Sequence, residues 1–290
     1  MKIGFVGLGN MGGPMAANLA ATGHAVRGYD TAAPTPEGVT AAASAAEAAR
    51  GAAVVITMLP DGRILRAVAA DPIPAMEAGA VLLDCSTVDV ESARAVAEQA
   101  AARGLSALDA PVSGGTGGAR AGTLTFMVGG DAEAVAVAAP LLDVMGGRTV
   151  HCGASGAGQA AKICNNMILG ATMAVTCEAF ALADKLGLER QALFDVASTS
   201  SGQSWSLTTY CPAPGVGPDS PSDNDYRPGF AAELMLKDLG LAMQAAEAVD
   251  AATPVGAEAW RQYSAFVEEE DGRGRDFSAL LPRLAEKGRG

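Results

Sequence analysis

The apolar run Ile3 to Val6 passes directly into Gly7-Leu8-Gly9-Asn10-Met11-Gly12, and the stretch that follows, as far as Ala21, carries helix formers. That order of strand, Gly-x-Gly-x-x-Gly and helix restricts the chain more than any other feature. It describes a βαβ unit whose first turn offers backbone amides and a helix N-terminus to a pyrophosphate. A bare glycine triplet is often only a tight turn. Here a second strand pattern, Ala25 to Tyr29, ends at Asp30, about 20 residues on, where a carboxylate accepts hydrogen bonds from ribose hydroxyls and repels a 2′-phosphate. The next residues, Thr31 to Pro34, supply no arginine. The expectation is a NAD site built from Gly7, Leu8, Gly9, Asn10, Met11, Gly12 and Asp30, with NAD favoured over NADP.

The same alternation continues. Apolar runs at Val54 to Met58, Val81 to Asp84, Ser106 to Asp109, Thr123 to Val128 and Arg148 to His151 bring the expected strands to seven. Helix-forming stretches lie between, among them Ala41 to Arg50 and Val90 to Ala102, punctuated by Gly23, Gly51 and Gly104. This is the pattern of an α/β domain with a Rossmann-type, doubly wound, mostly parallel sheet. After Gly158 the strands stop. A proline-free apolar stretch to about Leu186 predicts a helix about 45 Å long. We expect residues 1–156 to form the NAD-binding domain and residues 157–290 an all-helical second domain for substrate and oligomerisation, joined by that long helix. Residues 202–229, rich in Pro, Gly, Ser and Asp, read as a loop before a helix from Ala231. The last expected helix runs from Pro254 to about Glu269, with a frayed tail from Glu286.

Charge and cysteine usage narrow the function classes. A net charge of -12 without basic runs argues against nucleic acid as a partner. The five cysteines form no Cys-x-x-Cys pair, as expected of reduced thiols, and no metal site is expected from two histidines, His24 and His151, each read as lying on a strand. No segment is read as membrane-spanning and the start shows no export leader, so the expected location is cytoplasmic. None of Tyr29, Tyr210, Tyr226 or Tyr263 has a lysine four residues on, which removes another common hydride-transfer arrangement.

Lys162 is the one charged residue between His151 and Glu178. A buried ammonium is costly and tends to give up its proton, so a lysine in such a stretch is a candidate acid or base; the plainer alternative is a lysine snorkelling to water from a core helix. Gly158, Lys162 and Asn166 are spaced by four, on one helical face, so a base and an amide donor converge beside a position open to close approach. Other candidates follow strands: Leu59, Pro60 and Asp61, then Ser86 and Thr87, then the Ser113-Gly114-Gly115 run, whose hydroxyl and unobstructed amides suit a carboxylate. A strand terminator and a flexible turn would explain the same residues. Small residues Gly170, Ala171 and Ala174 suit either another subunit or the intrachain core.

The motifs GFVGLGNMG, DAPVSGG and GAGQAAKICNN resemble the β-hydroxyacid dehydrogenase family along the whole chain. The resemblance implies that Lys162 is the catalytic lysine. It implies that Ser113, Gly114 and Gly115 hold the substrate carboxylate with help from Asn166, and that Lys237 lines both cofactor and substrate sites. Leu59, Pro60 and Thr87 would touch NAD, and the assembly would be a homodimer or homotetramer. Trp205 and Tyr210 lie in the loop expected to shape the substrate pocket, with ordinary aromatic packing as the alternative. The segment from Gly202 to Phe230, followed by LMLKDLGLA, resembles the branch that oxidises the small 3-hydroxy carboxylate 3-hydroxyisobutyrate to methylmalonate semialdehyde in valine breakdown. Rivals within the family are reductases of glyoxylate, succinic semialdehyde or tartronate semialdehyde. Outside enzymology the rival is a dehydrogenase-like fold kept as a binding module.

Overall fold

Three central strands are apolar along almost their whole length because both of their faces are covered: β1 (Lys2–Val6), β4 (Val54–Thr57) and β5 (Val81–Asp84) are buried at every position but Lys2. The other strands are β2 (Ala25–Tyr29), β3 (Thr40–Ala41), β6 (Ser106–Asp109), β7 (Val112–Ser113), β8 (Leu124–Gly129) and β9 (Gly146–Gly153). The computed structural model describes residues 1–286. Among these, the nine strands form one sheet in the order β3-β2-β1-β4-β5-β6-β8-β7, with β9 against β8. Pairing is parallel except where β8 meets β6 and β7.

Strand alternation divides the core in two. Ile3, Phe5, Val54, Ile56, Val81 and Leu83 pack with Met15, Leu19, Leu141 and Leu142 of helices Gly12–Ala21 and Ala132–Met145. Val55 and Leu82 face the other way, onto Leu65, Ala69 and Val96 of helices Gly62–Ala69 and Val90–Ala101. Helices on both faces make the sheet doubly wound, as expected. The strand order reverses between β1 and β4, so their carboxyl ends flank the crevice in which such sheets bind ligands.

The chain divides into two units, residues Met1–Lys162 and from Ile163 onward. Helix Ala157–Leu186 runs continuously for 30 residues. In the second unit its residues Met173, Cys177 and Phe180 pack with Met235, Leu239, Tyr263, Phe266 and Phe277. A Cβ on Gly170 would lie 3.0 Å from Leu239 and from the Met235 sulfur, and Ala174 is buried, so these small residues serve intrachain packing. By length and composition this helix is apolar enough to cross a membrane, and its exposed side carries Ile168, Val175 and Leu182 at seven-residue spacing.

Several sequence expectations need correction. Thr40 and Ala41 belong to a two-residue strand, and the helix expected from Ala41 starts at Ala45, where the Ser44 side chain accepts from the Glu47 amide at 3.1 Å. Val112–Ser113 adds a second unexpected strand, paired with β8. His24 precedes β2 rather than lying on a strand, whereas His151 is on β9. Helix Pro254–Ser264 continues through a π turn, Ala265–Glu269, but is not the last: Leu280–Glu286 follows, its Leu280 and Leu281 completing the core. The expected frayed tail, Lys287 to Gly290, lies outside the described residues.

Candidate active site

The three glycines of the first turn do different jobs. Gly7 adopts φ +95°, and a Cβ there would collide with the Met58 carbonyl at the end of β4; one on Gly12 would strike the Gly7 carbonyl. Gly9 has nothing within 4 Å on that side, so the loop is open where a pyrophosphate would lie. Helix Gly12–Ala21 has no side-chain cap at Met11, which leaves its first-turn amides available to a ligand. Leu8 is buried and its N–H donates to Asp30 Oδ2 at 2.7 Å, while Asp30 Oδ1 accepts from the amides of Ala32 and Ala33, both at 2.8 Å. Partial burial would raise the Asp30 carboxyl, but the amides of Ala33, Ala32, Leu8 and Thr31 outweigh it and hold the group below the usual carboxylate range. Asp30 is therefore an anion clamped at the end of β2, with Asn10 exposed beside the loop. These residues fit a dinucleotide.

At the ends of β4 and β5 a buried relay links the next two loops. The Leu59 amide donates to Ser86 Oγ (2.8 Å), Ser86 Oγ donates to Asp84 Oδ1 (2.5 Å), and Thr57 Oγ1 donates to the same oxygen (2.7 Å). Asp84 Oδ2 is buried and accepts no hydrogen bond. Burial pushes the Asp84 carboxyl up to about 6, opposed by the hydrogen bonds from Ser86 and Thr57 and helped by the charge of Asp109. Ser86 is thus an internal strut between loops. Asp61 caps helix Gly62–Ala69, accepting from the Ile64 amide at 2.7 Å, while Pro60 is exposed and Thr87 half-buried.

The head of the long helix is fastened to β6 and β8. Asp109, paired in register with Asp84, accepts from the amides of Gly156 (2.7 Å) and Gln159 (2.9 Å). Burial raises the Asp109 carboxyl although those amides pull the other way. A Cβ on Gly158 would lie 2.6 Å from the Asp109 carbonyl and would collide with that of Met127, so the close approach at Gly158 is by the strand ends. Gln159 is fully buried; its Nε2 donates to the Ser86 carbonyl (2.8 Å) and its Oε1 accepts from the Val88 amide (3.1 Å). Lys162 comes one turn later and is 6% exposed, which removes the snorkelling alternative. Ser113 ends β7, and Gly114 and Gly115, with φ +129° and +61°, turn the chain into helix Gly115–Ala121.

In the second unit, buried Asn166 donates to Asp238 Oδ2 at 2.5 Å, and Lys237 Nζ lies 3.6 Å from Asp238 Oδ1. One Asn166 amide hydrogen is therefore engaged within the unit, and its Oδ1 accepts from Asn165 at 3.0 Å. Trp205 is half exposed and stacks on Tyr210 with 5.0 Å between ring centroids. The sequence does not mark Asp84, Asp109, Gln159 or Asp238 for these roles; Asp84 and Asp109 each close an apolar strand, Gln159 is three residues from Lys162, and Asp238 is next to Lys237.

Two family descriptions match. The NAD binding domain of 6-phosphogluconate dehydrogenase covers residues 2–153, and the domain described as NAD-binding of NADP-dependent 3-hydroxyisobutyrate dehydrogenase covers residues 156–284. A 3-hydroxyisobutyrate dehydrogenase of Pseudomonas aeruginosa is 50% identical over 96% of each chain, and an NAD-dependent L-serine dehydrogenase of the same organism is 46% identical over 96% of each. The solved structure of Mycobacterium tuberculosis 3-hydroxyisobutyrate dehydrogenase with L-serine superposes with a TM-score of 0.93 at 48% identity, covering 97% of this chain and 98% of that one. The dinucleotide loop, the doubly wound sheet and these matches together show that the chain belongs to the 3-hydroxyisobutyrate dehydrogenase family and is an NAD-dependent oxidoreductase acting on a hydroxyl group.

Proposed function

We propose that the protein oxidises 3-hydroxyisobutyrate to methylmalonate semialdehyde, a step of valine breakdown, with Lys162 as general base. The observation that carries this reading is a lysine buried at the head of a helix that is bonded directly to the loop after β5. NAD, when bound, would supply the hydride acceptor for the carbinol carbon. Lys162 Nζ, neutral at that moment, takes the proton of the 3-hydroxyl; in reverse, the ammonium returns it. Ser113 and the amides of Gly114 and Gly115 hold the carboxylate, and Asn166, Lys237 and Trp205 complete the substrate's surroundings. Gly7, Leu8, Gly9, Asn10, Met11, Gly12, Asp30, Leu59, Pro60, Thr87 and Lys237 hold the cofactor. The clamped anion at Asp30 favours NAD over NADP. Residues 1–156 form the NAD-binding domain, which also lends Ser113, Gly114 and Gly115 to the substrate, and residues 157–290 the substrate and assembly domain, which lends Lys237 to the cofactor.

L-Serine oxidation is the second reading, favoured by the 46% identical relative named for it and by the neighbouring structure that contains L-serine. Both substrates offer a primary 3-hydroxyl and a carboxylate, and they differ at C2, where a methyl is replaced by an ammonium. Steady-state rates with 3-hydroxyisobutyrate, L-serine, 3-hydroxypropionate and glycerate, each with NAD and NADP, test the assignment. We expect 3-hydroxyisobutyrate with NAD to give the highest kcat/KM, and L-serine ranking first would replace it. Faster reduction of glyoxylate, succinic semialdehyde or tartronate semialdehyde would transfer the protein to the reductases. We further infer a cytoplasmic homodimer or homotetramer that covers the Ile168, Val175 and Leu182 side of the long helix; a monomeric mass by light scattering would remove that inference.

A further inference from the structure

We propose that Gln159 is a positioning residue, which locks the helix carrying Lys162 to the loop carrying Thr87 and so sets where the lysine stands relative to the cofactor. Its side-chain amide is fully buried and both ends are engaged: Nε2 donates to the Ser86 carbonyl at 2.8 Å and Oε1 accepts from the Val88 amide at 3.1 Å. Those two peptide groups flank Thr87, so the side chain brackets one residue much as a neighbouring strand would. The backbone amide of Gln159 is itself held by Asp109 Oδ2 at 2.9 Å. One residue thus joins β6, the loop after β5 and the first turn of the helix. Through Ser86 Oγ, which accepts from the Leu59 amide at 2.8 Å, it also reaches the loop after β4. Lys162 lies three residues on, about 4.5 Å along the helix axis and on the adjoining face.

The choice of glutamine follows from what surrounds it. An amide supplies one donor and one acceptor without charge. A glutamate would put a third carboxylate among Asp84 and Asp109, both already raised by burial, and an apolar residue would leave the Ser86 carbonyl and the Val88 N–H buried and unpaired. A displacement of the helix head by about 1 Å would cost on the order of 100-fold in rate, because hydride and proton transfer both depend on near-attack geometry.

The part of this proposal that concerns turnover rests on Lys162 as the base; the part that concerns the Thr87 loop does not. The test uses the full-length enzyme with Gln159→Met, and with Gln159→Asn, which keeps the amide one methylene too short to span both peptide groups. NADH dissociation constants come from fluorescence titration. Turnover is measured per folded molecule, together with the primary deuterium isotope effect on kcat for substrate labelled at the carbinol carbon. We expect NADH binding weakened about tenfold, kcat lowered about 100-fold and a larger isotope effect as hydride transfer becomes limiting. A residue that only supports the fold would lower the folded fraction and leave all three per-molecule values at wild type, and that result overturns the proposal. Lys162→Ala is measured alongside. Full turnover there sinks the base reading while the NADH constants still judge the bracket. A dead Lys162→Ala beside wild-type Gln159 variants sinks the bracket alone.

Discussion

Buried polar groups do opposite work in the two units. In the first they collect at the carboxyl ends of the strands: Thr57, Asp84, Ser86, Asp109 and Gln159 bond to one another and to loop amides, next to the residues assigned to NAD and substrate. In the second, several lie under the long segment from Ser198 to Ala231, whose regular structure is limited to the short turns Trp205–Thr208 and Pro221–Asn224. There Asp276 accepts from Tyr210 Oη (2.8 Å) and the amides of Gly229 and Phe230 (both 3.0 Å) at one oxygen, and from the amide (3.0 Å) and hydroxyl (2.7 Å) of Ser278 at the other. Ser220 and Ser222 both donate to the Cys211 carbonyl, and Tyr226, held at φ +53°, donates to that of Pro212. The lesson is that burial of polarity is not by itself a mark of chemistry. A polar group at a strand end in the first unit should govern rate or cofactor choice, and one under the loop of the second should govern stability.

Four variants sharpen or break that division. Lys162→Ala should lower kcat about 1,000-fold while NADH affinity and melting temperature stay near wild type, as stopped assays, fluorescence titration and thermal melts will show. Asp276→Ala should do the reverse: five donors lose their acceptor, which costs on the order of 4 kcal/mol in denaturant titrations, with kcat per folded molecule little changed. A large fall in kcat for Asp276→Ala at full stability would break the division. Asp84→Asn tests the intermediate case. A carboxyl raised from 3.8 to about 6 in the folded state binds its proton more tightly there than in the unfolded chain. The native state therefore loses up to roughly 3 kcal/mol as pH rises from about 4 to about 6 and no more beyond. Asp109, also raised, acts in the same direction. The asparagine variant should flatten this part of the stability profile, and an unchanged slope would refute the assignment to Asp84. The smallest effect is expected from Asp30→Ser with Thr31→Arg, which should move the NADP-to-NAD preference by about 30-fold in kcat/KM, near 2 kcal/mol. Because Asp30 also holds three loop amides, NAD affinity should fall in the same variant.

How much of this was legible in the sequence follows from how local each feature is. β1, β4 and β5 read clearly because burial on both faces makes them unbroken apolar runs, and the glycine loop read clearly because its turn, helix start and carboxylate lie within one βαβ unit. The long helix was visible because its stretch is apolar and free of proline. Thr40–Ala41 and Val112–Ser113 were not, since two residues carry no period and become strands only by pairing with β2 and β8. Helix Leu280–Glu286 was hidden behind Gly272 and Gly274, which look like a terminus until the core of the second unit is seen. Among site residues, Lys162 announced itself as a charge in an apolar stretch. Gln159 could not, because its partners Ser86 and Val88 are 73 and 71 positions away and nothing in a neutral amide signals a long-range bond.

The bracket around Thr87 also gives the protein a built-in gauge. Val88 belongs to no helix or strand, yet its N–H is buried and closed by a side chain from the far end of the unit. Its proton can exchange with deuterated solvent only when the helix head releases the loop, so the protection of this single amide measures how often the two part company. That rate can be followed without substrate or turnover, and it is set by one side chain rather than by the sheet.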